Sequence, residues 1–318
     1  MKVIEHLKNS DKTLFSFELL PPLKGHNINL IYKTIDPLLE FNPSFINITY
    51  HQEEIVYKKH EGGLLEKKSV RKRPGTVAIS AAIKYKYSGV DVVPHLICGG
   101  FTKADTEYAL IDFHYLGINN ILAIRGDPPK SQRAFTPEKF GNSYASELVT
   151  QIANMNNGRY LDEEMQNTTP TDFCVGVAGY PEKHIESPNL NTDLSFLKLK
   201  VDAGAEFIIT QMFFDNQKYF EFVKKCREHG ITVPIIPGLK PITTLHDIRA
   251  LPQVFNIDIP DDLVKELNKC KNNEDAFRVG IEWAIQQSRE LINFGVPVLH
   301  YFTIGISENI RQIAKAVF

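Results

Sequence analysis

The chain contains few cysteines and no cysteine pair of the kind that binds a metal or forms a redox centre. Its 318 residues include four cysteines, and no two of them stand in a C-x-x-C spacing. A chain of this length buries about three quarters of its unfolded surface, so it needs neither disulfides nor a structural metal for stability. We therefore expect a reduced protein without a metal site.

Long apolar runs and an excess of one charge are also missing. No stretch approaches the roughly 20 apolar residues that span a bilayer. The amino-terminal segment MKVIEHLKNSDK has no apolar core of the kind found in secretory signals. The formal net charge of -2 gives no electrostatic footprint for nucleic acid. These absences predict a cytoplasmic protein with neither membrane nor nucleic-acid partners.

Glycine-rich nucleotide-binding motifs are absent as well. Neither G-x-G-x-x-G nor G-x-x-x-x-G-K-[ST] occurs, and the nearest pattern, G-V-A-G at 176–179, has the wrong spacing. A dinucleotide would therefore be held by other loops than those of a Rossmann fold or a P-loop.

The chain does contain a regular alternation of short apolar, β-branched segments with helix-like stretches. The eight segments are residues 13–22, 44–50, 90–98, 118–127, 172–181, 206–214, 233–242 and 296–304. Parallel strands buried on both faces read as continuous apolar runs, and they need crossovers of a dozen or more residues. Eight such units predict a fold of the α/β class, a (β/α)8 TIM barrel, as a single domain over residues 1–318.

Two of the helix-like stretches have clear ends. Thr102 is suited to be an N-cap, Asp105 falls in the first turn, and Gly117 closes the stretch. A second helix is predicted from Asn216 to Gly230, with apolar residues repeated on one face. Three segments show no such pattern and are predicted to be irregular loops: 51–73, 128–142 and 159–171.

Polar side chains stand at the carboxyl ends of the predicted strands, where catalytic groups of such barrels gather. They are Glu18, Thr49, His95, Arg125, Asp127, Tyr180, Gln211, Lys240 and Thr303. This pattern predicts a barrel enzyme with a polar mouth. It does not identify the reaction.

Glu18 lies among phenylalanines and leucines in F-S-F-E-L-L-P-P. Desolvation disfavours the charged carboxylate and could raise the pKa of Glu18 towards the range of a general acid. A structural ion pair with a nearby Arg or Lys is an equally good interpretation.

The sequence Arg125-Gly126-Asp127 follows the fourth strand. The arginine could clamp an anionic or planar group, the aspartate could accept a hydrogen bond, and the glycine would let a ligand approach the backbone. A salt-bridged turn is the alternative. His95 is more simply a satisfied core histidine. Gln211 suits either a pocket for a polar heterocycle or a structural role bonded to the backbone.

Several charged residues have a plain structural interpretation. Asp193 and Lys200 lie two turns apart on one helix face and are expected to be solvated. The basic run from Lys67 to Arg73 is expected to be a solvated loop, although it could attract an anionic substrate tail. Lys240 in P-G-L-K-P could form a Schiff base.

Eight short motifs then occur in a fixed order from about Leu14 to Thr303. They are F-S-F-E-L-L-P-P, N-I-T-Y, P-H-L-I-C, I-L-A-I-R-G-D-P-P, Y-A-S-E-L-V, V-A-G-Y-P-E-x-H, K-V-D-A-G-A and I-T-Q-M-F-F-D. In this combination the chain resembles the catalytic barrel of the 5,10-methylenetetrahydrofolate reductases. Nothing extends beyond the barrel, so no regulatory domain and no inhibition by S-adenosylmethionine are expected.

The resemblance implies a bound FAD that is reduced by NADH or NADPH and then reduces 5,10-methylenetetrahydrofolate to 5-methyltetrahydrofolate for methionine synthesis. It implies catalytic roles for Glu18, as the acid that opens the folate ring, and for Asp127, between flavin and pterin. Gln211, Asp127 and Thr49 would contact the substrate. The residues implied to line FAD are Thr49, Tyr50, His95, Arg125, Gly126, Asp127, Tyr144, Ala145, Tyr180, His184, Asp193 and Lys200. We also expect a homo-oligomer.

One departure from the bacterial pattern stands at the last strand. Where H-F-Y-T-L-N-R is usual, this chain reads H-Y-F-T-I-G-I at 300–306, so the tyrosine hydroxyl is lost and Ile306 replaces the arginine associated with the folate's glutamate end. We hypothesise that Arg311 or the loop from Lys67 to Arg73 takes over that contact. An unchanged folate KM in variants of both would reject the hypothesis.

Two other functions fit the same barrel. A class I aldolase or other lyase would use Lys240 and no flavin. A non-catalytic folate-binding or flavin-binding barrel would bind its ligand tightly without turnover.

Overall fold

The computed structural model describes residues 1–129, 132 and 134–318. Its strands are β1 (Leu14–Leu19), β2 (Phe45–Ile48), β3 (Glu54–Lys59), β4 (Leu65–Val70), β5 (Asp91–Ile97), β6 (Asn120–Ile124), β7 (Cys174–Gly179), β8 (Phe207–Thr210), β9 (Ile235–Ile236), β10 (Gly238–Leu239) and β11 (Val298–Phe302). Each of the eight predicted apolar segments contains a strand or, in one case, two short strands.

Eleven α-helices are assigned among the described residues. They are α1 (Val3–Lys8), α2 (Asn29–Ile35), α3 (Thr76–Lys86), α4 (Lys103–Tyr115), α5 (Ala145–Asn156), α6 (Leu190–Asp202), α7 (Asn216–Glu228), α8 (Asp247–Phe255), α9 (Asp261–Lys269), α10 (Asn273–Phe294) and α11 (Glu308–Val317). No helix in the described ranges is long and apolar enough to cross a membrane.

The main sheet is parallel and closes on itself. Its order is β10-β11-β1-β2-β5-β6-β7-β8-β9. β9 and β10 are two halves of one barrel strand interrupted at Pro237, because proline has no N–H to donate to the ladder. Around the interruption, His300 N donates to Pro237 O at 3.2 Å, and Gly238 N donates to Thr210 Oγ1 at 3.0 Å. The predicted (β/α)8 barrel is confirmed.

Side chains alternate between the helices outside the barrel and its interior, as a strand period of two requires. On β1, Phe15, Phe17 and Leu19 pack into the layer between sheet and helices. Ser16 and Glu18 therefore point inwards. The alternation turns two polar groups of β1 into the barrel, and the same rule turns polar groups of β2, β5 and β11 towards them.

The predicted helix ends are confirmed. Thr102 caps α4, accepting from Asp105 N at 3.1 Å, and Asp105 Oδ2 accepts from Thr102 N at 3.0 Å in return. This reciprocal capping stabilises the first turn, where backbone N–H groups lack partners inside the helix. The second predicted helix is α7, which starts at Asn216.

One predicted loop is wrong. Much of segment 51–73 forms an antiparallel hairpin, in which Glu54 of β3 pairs with Val70 of β4. Charged residues at both ends of β3 and in the middle of β4 are compatible with strands exposed to water. Segment 159–171 contains no helix or strand, and neither do the described positions of 128–142; residues 130, 131 and 133 lie outside the described part of the chain.

Candidate active site

A cavity of about 400 Å³ lies at the carboxyl ends of the barrel strands. Ten of the predicted site residues line it: Glu18, Thr49, Tyr50, His95, Arg125, Gly126, Asp127, Tyr180, His184 and Gln211. Of the other predicted residues, Tyr144, Ala145, Asp193 and Lys200 are not part of its lining. Of the nine polar residues predicted at strand ends, seven line the cavity, and Lys240 and Thr303 do not.

Apolar side chains that were not predicted form much of the wall. Leu122 and Ile124 come from β6, Ile209 from β8 and Phe302 from β11, while Met212 follows β8. Leu122 and Ile124 are two residues apart, so alternation along the strand could have identified them as inward-facing. The cavity combines apolar walls with a few polar groups, as sites for flat organic ligands do.

Glu18 is the acidic group at the centre of a polar cluster inside the barrel. Its Oε2 lies 3.2 Å from His95 Nε2 and 4.0 Å from His300 Nε2. Asn47 Nδ2 lies 3.3 Å from His95 Nε2, and Ser16 Oγ lies 2.8 Å from His300 Nδ1. The Glu18 side chain is 17% exposed, so the cluster touches the cavity mainly through this carboxylate.

The expected rise in the pKa of Glu18 is wrong. Burial does raise the pKa, but the charge of His95 and the proximity of both His95 and His300 outweigh burial and lower the pKa of Glu18 to about 2. The expected Arg or Lys partner is replaced by two histidines. At neutral pH the carboxylate is ionised, and the nearest exchangeable protons are on the histidines.

His300 is a functional candidate that sequence reasoning missed. It is fully buried, and burial lowers the pKa of its imidazole. Within the described part of the chain, His300 Nε2 and Asn47 Oδ1 have no hydrogen-bond partner although both atoms are buried. Unpaired buried polar atoms are costly. Both atoms belong to the polar cluster around Glu18, so they are available to form hydrogen bonds there.

The Arg125-Gly126-Asp127 segment has features of both interpretations, a salt-bridged turn and a segment that a ligand can approach. Arg125 forms a two-point ion pair with Glu186, with distances of 2.6 and 2.8 Å, so the salt bridge is real. Gly126 has φ +84°, and an added Cβ would lie 3.2 Å from Ile97. Glycine is therefore required by the backbone and by packing. Asp127 is exposed at the cavity edge, where its carboxylate is available to a ligand.

Gln211 also has features of both interpretations, a backbone-bonded structural role and a polar contact for a ligand. Its Oε1 accepts from the backbone N–H of Met212 at 2.9 Å, which fixes the oxygen and leaves the NH2 group as a donor for the cavity. Thr49 Oγ1 donates to Leu19 O at 3.1 Å. The hydroxyl proton of Thr49 is therefore used within the protein, and the other atoms of the side chain face the cavity.

Asp193 and Lys200 are not the solvated pair expected from the helix pattern. Asp193 is buried and accepts from Ser187 Oγ at 2.8 Å and from His184 N at 3.2 Å. Lys200 Nζ donates to Ala178 O at 2.6 Å, and burial lowers the pKa of Lys200 to about 8. Both side chains support residues of the cavity lining, because His184 and Ala178 belong to it.

Tyr144, Ala145 and the rival residue Lys240 also lie outside the cavity lining. Tyr144 is 61% exposed, and Ala145 begins α5. Lys240 Nζ donates to Pro241 O at 3.2 Å and lies 3.8 Å from Asp247 Oδ2. A Schiff-base lysine must reach the substrate, so this geometry disfavours the lyase interpretation.

Glu182, in the Y-P-E-K-H segment, gives a pH-dependent prediction. Its Oε2 accepts from Asp258 N at 2.8 Å, while its Oε1 is buried without a partner within the described ranges. Burial raises the pKa of Glu182 from 4.5 to about 7. The folded state therefore holds a proton that the unfolded state releases, so the stabilising contribution is complete below pH 4.5 and is lost as the pH rises through 7.

We expect Glu182→Gln to be more stable than the parent at pH 8 by about 1–2 kcal/mol, since one pKa unit corresponds to about 1.4 kcal/mol and partial exposure reduces the effect. The gain should shrink at pH 6 and disappear near pH 4.5. Thermal unfolding at the three pH values measures this. Glu221→Gln, on the exposed face of α7, is the control, and an equal gain at every pH would contradict the assignment.

The chain was then compared with known proteins. Residues 2–317 match the family described as methylenetetrahydrofolate reductase. Methylenetetrahydrofolate reductase 2 of Saccharomyces cerevisiae is 32% identical over 312 residues, covering 96% of this chain and 47% of the yeast protein. Methylenetetrahydrofolate reductase (NADH) 1 of Arabidopsis thaliana is 30% identical over 325 residues, covering 97% and 49%. The chain thus spans about half the length of these two relatives.

The Escherichia coli protein and one solved structure extend the comparison. The 5,10-methylenetetrahydrofolate reductase of Escherichia coli K12 is 30% identical over 295 residues, covering 92% of this chain and 86% of that protein. A Clostridium thermocellum protein that binds two copies of 5-methyl-5,6,7,8-tetrahydrofolic acid superposes with a TM-score of 0.55 at 14% identity, covering 99% and 98% of the two chains. That likeness bears on the fold alone. With nearly its whole length matched, this chain belongs to the methylenetetrahydrofolate reductase family.

Proposed function

We propose that the protein reduces 5,10-methylenetetrahydrofolate to 5-methyltetrahydrofolate, using bound FAD and either NADH or NADPH as reductant. The observation that carries the proposal is the position of Glu18, which lines the cavity in contact with His95 and close to the buried His300. Family membership supplies the reaction class. The same proposal places the enzyme in the cytoplasm, as a homo-oligomer that supplies methyl groups for methionine synthesis.

The residues of the cavity fit a flat flavin ring. Apolar walls from Leu122, Ile124 and Ile209 suit its faces, and the free NH2 group of Gln211 suits its polar edge. Burial raises the pKa of Tyr180, so its hydroxyl stays protonated and can donate a hydrogen bond. The chemistry that FAD supplies when bound is hydride transfer from nicotinamide to folate.

The residues that would hold FAD follow from the family resemblance. Around the ring they are Thr49, Tyr50, His95, Arg125, Gly126, Asp127, Tyr180 and His184, all of which line the cavity. For the remainder of the cofactor they are Tyr144, Ala145, Asp193 and Lys200. Asp193 and Lys200 would exchange hydrogen bonds to protein groups for bonds to the cofactor.

The substrate needs one proton before hydride can add to its bridging carbon. Protonation at N10 lets the bond between N10 and the bridging methylene break, which leaves an iminium at N5, and hydride addition then forms the methyl group. Overall, NAD(P)H and one proton are consumed. Gln211, Asp127 and Thr49 would hold the pterin, with Asp127 accepting a hydrogen bond from it.

Glu18 and His95 together can deliver that proton. A carboxylate with a pKa of about 2 is a poor acid at neutral pH. When a bound substrate covers the remaining exposed part of Glu18, further desolvation raises the pKa of the carboxyl group. The proton then moves from an imidazolium at His95, through Nε2, to Glu18 Oε2 over the 3.2 Å contact and onwards to the substrate, which leaves His95 neutral.

The visible absorption spectrum of the purified protein tests this proposal. A flavin spectrum is expected; it should bleach when NADH or NADPH is added without oxygen and return when 5,10-methylenetetrahydrofolate follows. The faster bleaching nicotinamide is the preferred reductant. A colourless preparation that stays colourless with added FAD, or a reduced flavin that the folate does not reoxidise, would contradict the proposal.

Lys240→Arg separates the reductase from the lyase alternative. Arginine keeps the positive charge beside Asp247 but cannot form a Schiff base, so folate reduction should stay within about threefold of the parent value, as for a residue outside the chemistry. Steady-state turnover measures this. Covalent trapping by borohydride with a carbonyl substrate in the parent, but not in the variant, would favour the lyase.

A further inference from the structure

A second cavity, of about 430 Å³, lies beside the candidate active site. It is formed where the loop after β1 meets the chain between β4 and α3, and the two segments are joined by a 2.7 Å hydrogen bond from Lys24 N to Lys72 O. Its lining includes Pro22, Lys24, His26, Arg71 and Arg73.

The lining of this second cavity is basic. Lys24, Arg71 and Arg73 carry positive charge, His26 can gain one, and no aspartate or glutamate belongs to the lining. In the described part of the chain, none of these three permanent cations has a carboxylate within 4 Å, although the charge of Glu54 acts on Arg73 from a greater distance. By contrast, Lys72 lies between the two arginines in the sequence and pairs with Glu54. Cations that remain unpaired around one concavity attract a ligand with several negative charges.

The two arginines are held in place without being neutralised. Arg73 Nη1 donates to Pro21 O, and the Arg71 guanidinium lies 5.8 Å from the centre of the Tyr50 ring. A guanidinium has five N–H donors, so one bond to a carbonyl leaves several free. Arginines fixed in this way can bind carboxylates through two parallel hydrogen bonds.

The second cavity adjoins the first, although the two share no lining residue. Leu20 and Tyr50 line the active-site cavity, while Pro22 and Arg71 line the second one. Leu20 and Pro22 are two residues apart, which is about 7 Å in an extended chain, and Arg71 covers the Tyr50 ring. A ligand whose head occupies the first cavity can therefore extend an anionic tail into the second.

We propose that the second cavity binds the carboxylates of the folate substrate's γ-linked glutamate tail, through Lys24, Arg71 and Arg73. This inference rests on the proposed function. It also revises the hypothesis about the missing arginine at position 306. Arg311 pairs with Glu40 at 2.7 Å and lines neither cavity, and of the loop from Lys67 to Arg73 only the two arginines line the second cavity. Each added glutamate brings one more carboxylate, so affinity should increase with tail length.

The test compares 5-methyltetrahydrofolate carrying one and three glutamates, titrated calorimetrically into the FAD-loaded protein. In Lys24→Gln/Arg71→Gln, the Kd for the triglutamate should rise at least tenfold and the Kd for the monoglutamate about threefold or less. Lys67→Gln/Lys68→Gln is the control, because it removes the same charge from exposed positions of β4 outside the cavity. In the control variant, the Kd of each ligand should stay within twofold of the parent value. Arg73 is kept because its bond to Pro21 supports the loop.

Other outcomes overturn the inference. An equal rise in Kd for both ligands, or an equally large rise in the control variant, would overturn the inference. It would mean that the ligand responds only to the overall positive charge of the surface. A selective rise in the KM for NADPH over NADH would assign the cavity to a phosphate instead. Single variants Lys24→Gln and Arg71→Gln, checked by thermal unfolding, replace a double variant that does not fold. Failure of the proposed function is distinct, since it abolishes turnover of both folates in the parent protein.

Discussion

Replacing Glu18 by glutamine should lower kcat for folate reduction by about 10²–10⁴-fold, the usual contribution of a general acid, while nicotinamide still reduces the flavin. Only the folate half-reaction consumes the proton held by Glu18 and His95. Glutamine has nearly the same shape as glutamate and can still form a hydrogen bond with His95, but it cannot carry the proton. Stopped-flow absorbance measures the two half-reactions separately.

The control for this variant is Glu40→Gln, which removes an exposed carboxylate that pairs with Arg311 away from the cavity. It should leave both half-reactions unchanged. If Glu18→Gln reduces folate at the parent rate, Glu18 does not deliver the proton. If flavin reduction is lost as well, the carboxylate is needed to bind the cofactor or to keep the barrel mouth intact, and the separation of roles is wrong.

The barrel could be predicted from the sequence because its signals are local. A run such as 118–127 has four apolar residues in a row at 121–124, ends in charged residues and is followed by a loop and a helix. Each of these features depends on neighbouring residues only. The reciprocal cap between Thr102 and Asp105 is local in the same sense. The hairpin of β3 and β4 was missed because its strands are largely exposed and charged, and exposed strands lack the apolar alternation that identifies them.

The electrostatics of the site could not be predicted in this way. The pKa of Glu18 depends on His95 and His300, which come from β5 and from β11 near the other end of the chain. The apolar neighbours of Glu18 in the sequence indicate only desolvation, which raises its pKa. They do not indicate the two histidines, which lower it. Asp193 and Lys200 show the same limit, because the partners that remove them from solvent lie in the β7 strand and the segment that follows it.

The residue roles carried over from the family stay predictions, as does the expectation of a single catalytic domain without a regulatory domain. The chain matches about half of the yeast and plant relatives. The ten predicted residues that share one cavity are brought together by the barrel itself, since parallel strands deliver their carboxyl ends to one rim. The Glu18→Gln variant tests the chemistry at that rim. The rigidity of the rim depends on packing elsewhere in the barrel.

Gly280→Ala should destabilise the fold by about 2 kcal/mol or more, even though alanine favours helix over glycine by about 1 kcal/mol. Gly280 is buried in the middle of α10. An added Cβ would lie 1.9 Å from the backbone oxygen of Ile242 and 2.8 Å from its carbonyl carbon. Backbone atoms cannot move aside as the end of a flexible side chain can, so the overpacking cost exceeds the gain in helix propensity.

The displaced segment is part of the support of the active-site wall. Ile242 is buried in a cluster with Met212, and Phe302 packs against that cluster; Met212 and Phe302 both line the candidate active site. We therefore expect Gly280→Ala to raise the folate KM in addition to lowering Tm. Gly89→Ala is the matched control, because a Cβ there meets nothing within 4 Å, and it should change stability by less than about 0.5 kcal/mol. A Tm of Gly280→Ala equal to or above the parent value would show that α10 can shift away from Ile242 at little cost, and the wall would then be softer than its packing implies.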